Sequence, residues 1–131
     1  MDAFYLNPLV APFSLQFASR GVSGAYFQVK PADTHPIVRG LEGFSVYHGT
    51  GVAGQANSQE VLPSGSDSVM LAQNFGKGRV VVFGAGSALQ NQALNSRIIH
   101  SSSDKTVQSN TKLAMNLALW LSGEDEAVAS N

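Results

Sequence analysis

Apolar residues near the start of the chain recur at the spacing of a short helix. Four of them share one helical face: Leu6, Leu9, Val10 and Phe13. Asn7 is positioned to cap this helix and Pro8 suits its first turn, whereas Pro12 limits its length. The pattern predicts a short N-terminal helix.

The next segments favour β-structure. GAYFQVK (24–30) and FSVYHG (44–49) predict two short strands, and HPIVRGLEG (35–43) predicts a turn-rich connector between them. Residues 55–67 are mostly polar around Val61 and Leu62, which leaves open a loop or a short edge strand.

Two apolar runs around a glycine turn predict a β-hairpin. SVMLAQNF (68–75) and RVVVFG (79–84) flank the turn Gly76-Lys77-Gly78. The run from Val80 to Phe83 is continuously apolar, which is typical of a strand covered on both faces. Such a strand favours helices packed on a sheet, and therefore an α/β domain.

The last element has a helical pattern. Ser109 is expected to cap a helix from Asn110 to Leu121, and Gly123 to end it. One apolar face of this helix contains Leu113, Leu117, Trp120 and Leu121. Residues 87–101 fit either a short helix or a loop. We expect one α/β domain over residues 1–123, followed by a flexible acidic tail at 124–131.

Composition narrows the classes of partner. Of 131 residues, 44% are hydrophobic and only 13% are charged, with eight Lys and Arg against nine Asp and Glu. Because no basic stripe is present, nucleic acid and anionic membranes are not expected partners. A small domain with so few charges often hides part of its surface in an oligomer, which favours self-association.

The chain lacks the residues that cysteine chemistry and metal binding require. Without cysteine the chain has no thiolate nucleophile, disulfide or Cys-ligated zinc. His35, His48 and His100 show no metal-ligand spacing, so neither a metal nor another cofactor is predicted. No basic signal-peptide region precedes Arg20, and no apolar run approaches the ~20 residues of a membrane span. We therefore expect a soluble, cytoplasmic protein.

The stretch HGTGVAG (48–54) spells the glycine pattern of dinucleotide-binding loops. That site needs a helix after the third glycine, but Pro63 limits any helix and no amphipathic stripe precedes it. We interpret the glycines as a flexible turn after a short strand. Gly84-Ala85-Gly86 has Leu89 in place of a third glycine, and Lys77 lacks the phosphate-loop context.

Catalytic patterns are also incomplete. Ser87 does not lie in a G-x-S-x-G elbow, although Ser87, His100 and Asp104 form a possible trio. We expect Trp120 to belong to the core and Arg79 to be a solvated strand end.

Four segments together resemble a known family. They are NPLVAPFSLQFASRGVSG (7–24), HPIVRGLEGFSVYHGTG (35–51), FGKGRVVVFGAGSALQN (75–91) and NTKLAMNLALWLSGE (110–124). The chain is similar to the C-terminal half of class I glutamine amidotransferase-like domains, in their non-glutaminase branch. The resemblance implies part of a flavodoxin-like layered sheet, with a β-hairpin and a C-terminal helix packed on it.

Departures from that family argue against catalysis. The family's nucleophile elbow belongs to preceding strands, and a glutaminase would need a cysteine. Gly84 to Ser87 occupy the position of the family's catalytic histidine, and Ala85 stands where related non-glutaminase proteins often have aspartate. Because half of such a fold would expose a sheet edge, we expect the chain to form a homodimer.

The sequence therefore predicts a non-enzymatic α/β domain that binds a protein partner or a small polar ligand and self-associates. The predicted ligand site follows the central strand and contains Gly84, Gly86, Ser87 and Asn91. The alternative is a minimal or degenerate hydrolase that uses Ser87 and His100.

Overall fold

Five strands and two α-helices are present in the computed structural model, which describes residues 3–28, 35–64, 67–89 and 104–124. The strands are β1 (Gln16–Gln28), β2 (Gly43–Ala53), β3 (Gln59–Ser64), β4 (Asp67–Phe75) and β5 (Gly78–Phe83). The helices are α1 (Asn7–Val10) and α2 (Asp104–Ser122). Short 3-10 turns occupy Ala3–Leu6, Ala11–Phe13, Pro36–Val38 and Gly86–Leu89.

The sheet consists of two antiparallel units. Strands β3, β4 and β5 form a meander with β4 in the middle, whereas β1 and β2 form a long two-stranded ribbon. The ribbon joins the meander where Val52 of β2 pairs with Ser68 of β4. Each strand pair in the described ranges is antiparallel. The mixed α/β class is confirmed. Flavodoxin-like layering has a parallel sheet, so the described strand pairs give it no support, and it stays a prediction.

Strand β5 divides the core into two clusters on opposite faces of the sheet, because successive side chains of a strand point to opposite sides. Val81 and Phe83 pack against the larger cluster, to which α2 contributes Leu113 and Trp120. Val82 belongs to a smaller cluster that the N-terminal segment covers. The predicted coverage of this strand on both faces is confirmed.

The smaller cluster explains the position of the N-terminal segment. Leu15 is buried with Val52, Leu71 and Val82, and Phe13 packs beside them. Ser14 adopts a left-handed conformation with φ of 58°, which turns the chain from the last 3-10 turn toward β1.

The predicted N-terminal helix is present, but the assigned cap is wrong. Leu6 holds the cap position and makes no side-chain cap bond. Asn7 is the first helical residue, and its Oδ1 accepts a hydrogen bond from the Phe17 N–H at 2.7 Å. Its side chain thus ties the helix to β1.

The glycine-rich stretch HGTGVAG is not a turn, contrary to the sequence interpretation. Strand β2 continues through it to Ala53, with Gly49 opposite Val22 and Thr50 opposite Gly21. Both β1 and β2 are therefore longer than predicted. The glycines permit close backbone approach inside a sheet rather than freedom in a loop.

The hairpin of β4 and β5 is confirmed, with Gly76 in its turn at φ of 58°. Residues 59–64 form a strand that pairs only with β4 within the described ranges. Of the two predicted alternatives, a loop or a short edge strand, the edge strand is therefore correct.

Helix α2 begins at Asp104, six residues before the predicted start, so Ser109 lies inside it. Residues 104–109 contain no glycine or proline, so the helix can extend through them. They are mostly polar and show no apolar helical pattern, which is why the sequence did not predict these additional turns. The predicted end is correct, because Gly123 follows the helix with φ of 80°. Most of the ambiguous segment 87–101, and the predicted tail from residue 125 onward, lie outside the described residues.

Candidate functional site

The predicted ligand site begins at Gly84, which connects the two units of the sheet. The Gly84 N–H donates to the Val69 carbonyl of β4, and its own carbonyl accepts from the Thr50 N–H of β2, both at 2.8 Å. A Cβ at position 84 would collide with the backbone carbonyl oxygen of Thr50. Only glycine therefore fits this junction.

Thr50 is the counterpart of Gly84 in the ribbon. Besides the bond from its amide, its hydroxyl donates to the Ala18 carbonyl of β1 at 2.5 Å. The following residues, Gly51 and Val52, are buried. Thr50 therefore links β1, β2 and the end of β5 at one point.

The remaining predicted ligand residues have different surroundings. Ala85 is fully buried in the larger cluster, whereas Gly86 is exposed and has open space where a Cβ would lie. Ser87 follows Gly86 in the 3-10 turn. Asn91 and His100 lie outside the described residues, so the proposed site and the proposed Ser87–His100 pair stay predictions. The sheet uses the backbone N–H of Gly84, so among the described residues of the predicted site the amides of Gly86 and Ser87 remain candidates to contact an anion.

A cluster around Trp120 joins three elements on the α2 side of the sheet. Trp120 is buried, as the sequence predicted for a core residue. The Arg79 guanidinium lies 5.1 Å from the centre of the indole ring, and its Nη1 donates to the Trp120 carbonyl at 2.7 Å. The interpretation of Arg79 as a solvated strand end is wrong, because the indole ring and a helix-terminal carbonyl both attract this cation.

The connector before β2 contributes the third part of this cluster. The His35 ring lies 5.2 Å from the Trp120 ring, and its Nδ1 accepts from the Ile37 N–H at 3.3 Å, which caps the turn Pro36–Val38. Ile37 and Val38 are buried. The segment predicted as a turn-rich connector thus supplies part of the core.

Helix α2 also holds the connector through Asn116. Its Nδ2 donates to the carbonyl oxygens of Ile37, at 3.0 Å, and Arg39, at 2.9 Å. Gly40 follows with φ of 70°, and the Lys112 side chain reaches over it. These contacts fix one side of α2 to the connector.

An open cleft of about 310 Å³ lies on the opposite side of the sheet, between the N-terminal segment and the end of β2. It is lined by Ala11, Ser14, Leu15, Gln16, Ala53, Gly54 and Gln55. Its lining contains no ionisable side chain, which suits a neutral ligand with amide or hydroxyl groups. No sequence pattern indicated this cleft, because its two walls are separated by about forty residues and meet only in the fold.

Exposed apolar side chains occur on both sides of the molecule. On the side of the N-terminal segment Tyr5 is 82% exposed and Leu9 68%, and Phe75 at the hairpin end contacts the Phe13 ring edge-on. On α2, Met115 is 62% exposed and Leu121 44%. Single exposed apolar residues are ordinary, but groups of them mark interaction surfaces.

No family model matches this chain, and comparison with the curated proteins and with the solved structures finds no significant match. Among the described residues, no three His, Asp or Glu side chains are close enough to hold a metal ion. The described helices include none with the length and apolar character needed to cross a membrane.

Proposed function

We propose that this protein is a non-enzymatic binding domain that self-associates and assembles through its apolar surfaces. The observation that supports this function is the presence of exposed apolar groups on two opposite sides of one small sheet. Tyr5 and Leu9 lie on one side, and Met115 and Leu121 on the other. The low charge of the whole chain favours the same function, because two copies with a net charge of −1 repel each other weakly.

The N-terminal surface has the chemistry of an interface. Residues 3–19 contain no charged side chain, and tyrosine and phenylalanine are enriched in the buried centres of interfaces. A partner that covers Tyr5 and Leu9 would remove apolar area from water without having to desolvate a charge.

Sedimentation velocity over a range from about 1 to 200 µM tests the proposal. We expect the sedimentation coefficient to rise with concentration from the monomer value to the dimer value, since weak protein complexes form in this range. A coefficient that stays at the monomer value throughout would contradict self-association.

A small neutral ligand in the cleft is the second candidate function. Leu15 and Ala53 give it an apolar floor, whereas Ser14, Gln16 and Gln55 provide hydroxyl and amide groups. Ligand-observed NMR with a set of small amides and sugars tests it, with Ala11→Trp as the variant that fills the cleft. Binding that Ala11→Trp leaves unchanged would place the ligand elsewhere, including the predicted loop at Gly86 and Ser87.

The chain resembles the C-terminal half of an amidotransferase-like domain, which has flavodoxin-like layering. This proposal includes that resemblance only as an origin for the fold. The absence of cysteine and the small residues from Gly84 to Gly86 depart from the catalytic residues of that family, which supports a function without catalysis. We further propose that the protein is cytoplasmic and that it acts without a cofactor and without binding nucleic acid or a membrane.

A further inference from the structure

Ser14 has a backbone conformation that normally selects glycine. Its φ of 58° and ψ of 34° lie in the left-handed region, and it is the one non-glycine residue with positive φ in the described ranges. Glycine is the usual residue at such a position after a helical turn, because a side chain there crowds the backbone. Serine at this position therefore lowers stability relative to glycine.

Two backbone hydrogen bonds hold Ser14 in this conformation. The Ser14 N–H donates to the Ala11 carbonyl at 2.9 Å, and the Leu15 N–H donates to the Val10 carbonyl at 3.3 Å. This pair of bonds is the Schellman arrangement, in which a left-handed residue ends a helix. Leu15 is buried, and Val10 packs against the cluster that contains it. The backbone and the core therefore fix the turn.

The Ser14 side chain has no part in holding the turn. It is exposed and makes no hydrogen bond to another described residue. It borders the open cleft of about 310 Å³ between the N-terminal segment and the end of β2. Residues with strained backbone conformations are concentrated at functional sites, including those that hold ligands. The hydroxyl that serine adds at this position lies at such a site.

Gly54 shapes the opposite wall of the cleft. A Cβ at this position would lie 2.7 Å from Leu15 Cδ2 and would also collide with the Ser58 hydroxyl. A larger residue would displace both side chains, so glycine lets Leu15 pack directly on the backbone of this wall. Gln16 pairs with Ala53 in the ladder between β1 and β2, which joins the two walls. Because the fold holds both walls, the cleft is formed before a ligand binds.

We propose that the Ser14 hydroxyl binds the ligand of this cleft and that this ligand carries a neutral amide group. The inference rests on the second candidate function, a small neutral ligand in the cleft, and names the binding residue and the ligand class. The other polar side chains of the lining are the carboxamides of Gln16 and Gln55. A carboxamide has N–H donors and a carbonyl acceptor, so it matches an amide of the ligand with two hydrogen bonds, and the hydroxyl donates or accepts a third.

The lining discriminates against charged ligands. None of its seven residues is ionisable. A carboxylate would lose hydration without gaining a cation, whereas a neutral amide loses less hydration and finds partners for its donor and its acceptor. The cleft is at the small end of the range for ligand sites, so a probe of matching size is expected to bind with a millimolar dissociation constant.

Titration of the isotope-labelled full chain with N-acetylglycinamide, followed by NMR chemical shifts, tests the ligand class. We expect saturable shifts of the amides of residues 14–16 and 53–55. N-acetylglycine is the matched probe, because it differs only in a carboxylate that replaces the terminal carboxamide, and it should bind at least about fivefold more weakly. Glucose is the neutral probe with hydroxyl groups alone, and it should also bind more weakly than the amide.

Ser14→Gly separates the binding role of this residue from its role in the fold. It removes the hydroxyl, so the dissociation constant for N-acetylglycinamide should rise about three- to tenfold. It also relieves the backbone conformation, so the thermal midpoint should rise by about 2–4 °C. A variant that merely damaged the fold would lose affinity and thermal stability together.

Gln55→Glu tests the contribution of the carboxamides. The carboxylate retains the size of the side chain but only accepts hydrogen bonds, so the dissociation constant for the amide probe should rise at least about threefold. Gln59→Glu is the matched control, since Gln59 is exposed at the start of β3 and does not line the cleft. It should leave the constant within about twofold. Equal effects of the two variants would contradict the assigned contact.

The outcomes separate this inference from the function on which it rests. Amide binding that Ser14→Gly leaves unchanged overturns the role of the hydroxyl, and equal binding of glucose and the amide overturns the ligand class. Both results leave a ligand in the cleft. The absence of shifts at residues 14–16 and 53–55 with all three probes contradicts the inference and the cleft together. A lowered thermal midpoint in Ser14→Gly overturns the argument from backbone strain.

Discussion

The backbones of Thr50 and Gly84 meet so closely that the sheet has no room for a side chain at position 84. The Thr50 amide donates to the Gly84 carbonyl at 2.8 Å, and the nearest atom to a Cβ at Gly84 would be the Thr50 carbonyl oxygen. This contact joins the ribbon of β1 and β2 to the meander of β3, β4 and β5. Its energetic importance can be measured directly.

Gly84→Ala is expected to destabilise the protein by at least about 3 kcal/mol, because the added methyl group must push apart two hydrogen-bonded backbones. Gly86→Ala is the matched control, since nothing lies within 4 Å of a Cβ at that position. It should change the free energy of unfolding by less than about 0.5 kcal/mol. Urea denaturation of both variants measures the difference, and equal effects would contradict the assigned role of Gly84.

Arg79→Ala should lower the stability by about 1–2 kcal/mol, because it removes both the cation–π contact with Trp120 and the bond to the Trp120 carbonyl. Arg79→Lys retains the charge but not the planar group, and should lose about half as much. The chain contains one tryptophan, so its fluorescence reports on the surroundings of Trp120, which include the Arg79 guanidinium. An emission spectrum unchanged by Arg79→Ala would argue against the stacked arrangement.

Asn116→Asp should destabilise the protein by about 2–3 kcal/mol, because a carboxylate would face the carbonyl oxygens of Ile37 and Arg39 where an amide now donates to both. Asn74→Asp introduces the same charge on the exposed part of β4 and serves as the control. We expect the thermal midpoint to fall only for the first variant. Similar midpoints for the two would show that the connector does not depend on Asn116.

Gln73→Met should loosen the N-terminal segment. The Gln73 side chain is buried, and its Nε2 donates to the Phe13 carbonyl at 2.8 Å. Its Oε1 is buried without a hydrogen-bond partner in the described part of the chain. Methionine therefore removes this unpaired polar atom, which favours stability, together with the hydrogen bond to Phe13, which costs stability. The net loss of stability should therefore stay below about 1 kcal/mol.

Hydrogen exchange locates this effect. Amides of residues 3–17 should exchange faster in Gln73→Met, while those of α2 remain as protected as in the wild type. Gln59→Met on the exposed edge strand is the control and should leave both regions unchanged. Uniformly faster exchange would indicate global destabilisation instead of release of the segment.

Short sequence patterns were sufficient to predict many of the secondary-structure elements. The turn Gly76-Lys77 between two apolar runs identified the hairpin, and Gly123 identified the end of α2, because glycine permits the positive φ that both positions adopt. The continuous apolar run of β5 indicated coverage on both faces, and side chains from α2 and from the N-terminal segment provide it.

Short sequence patterns did not predict the contacts of the candidate site. Gly49 and Gly51 suggested a turn because glycine is common there, yet they continue a strand whose close neighbour is Gly84, more than thirty residues away. Arg79 gave no sign of its partner, since Trp120 lies on another element forty-one residues further along the chain.

The sequence by itself determined the existence of the hairpin, the apolar final helix, the mixed α/β class and the lack of cysteine chemistry, because each depends on residue type or on short-range spacing. The tertiary structure alone decided that the glycine-rich stretch is strand, that Gly84 joins two sheet units, and which face of α2 stays exposed. These features depend on which distant backbones approach each other, and the packing of the whole chain sets that distance.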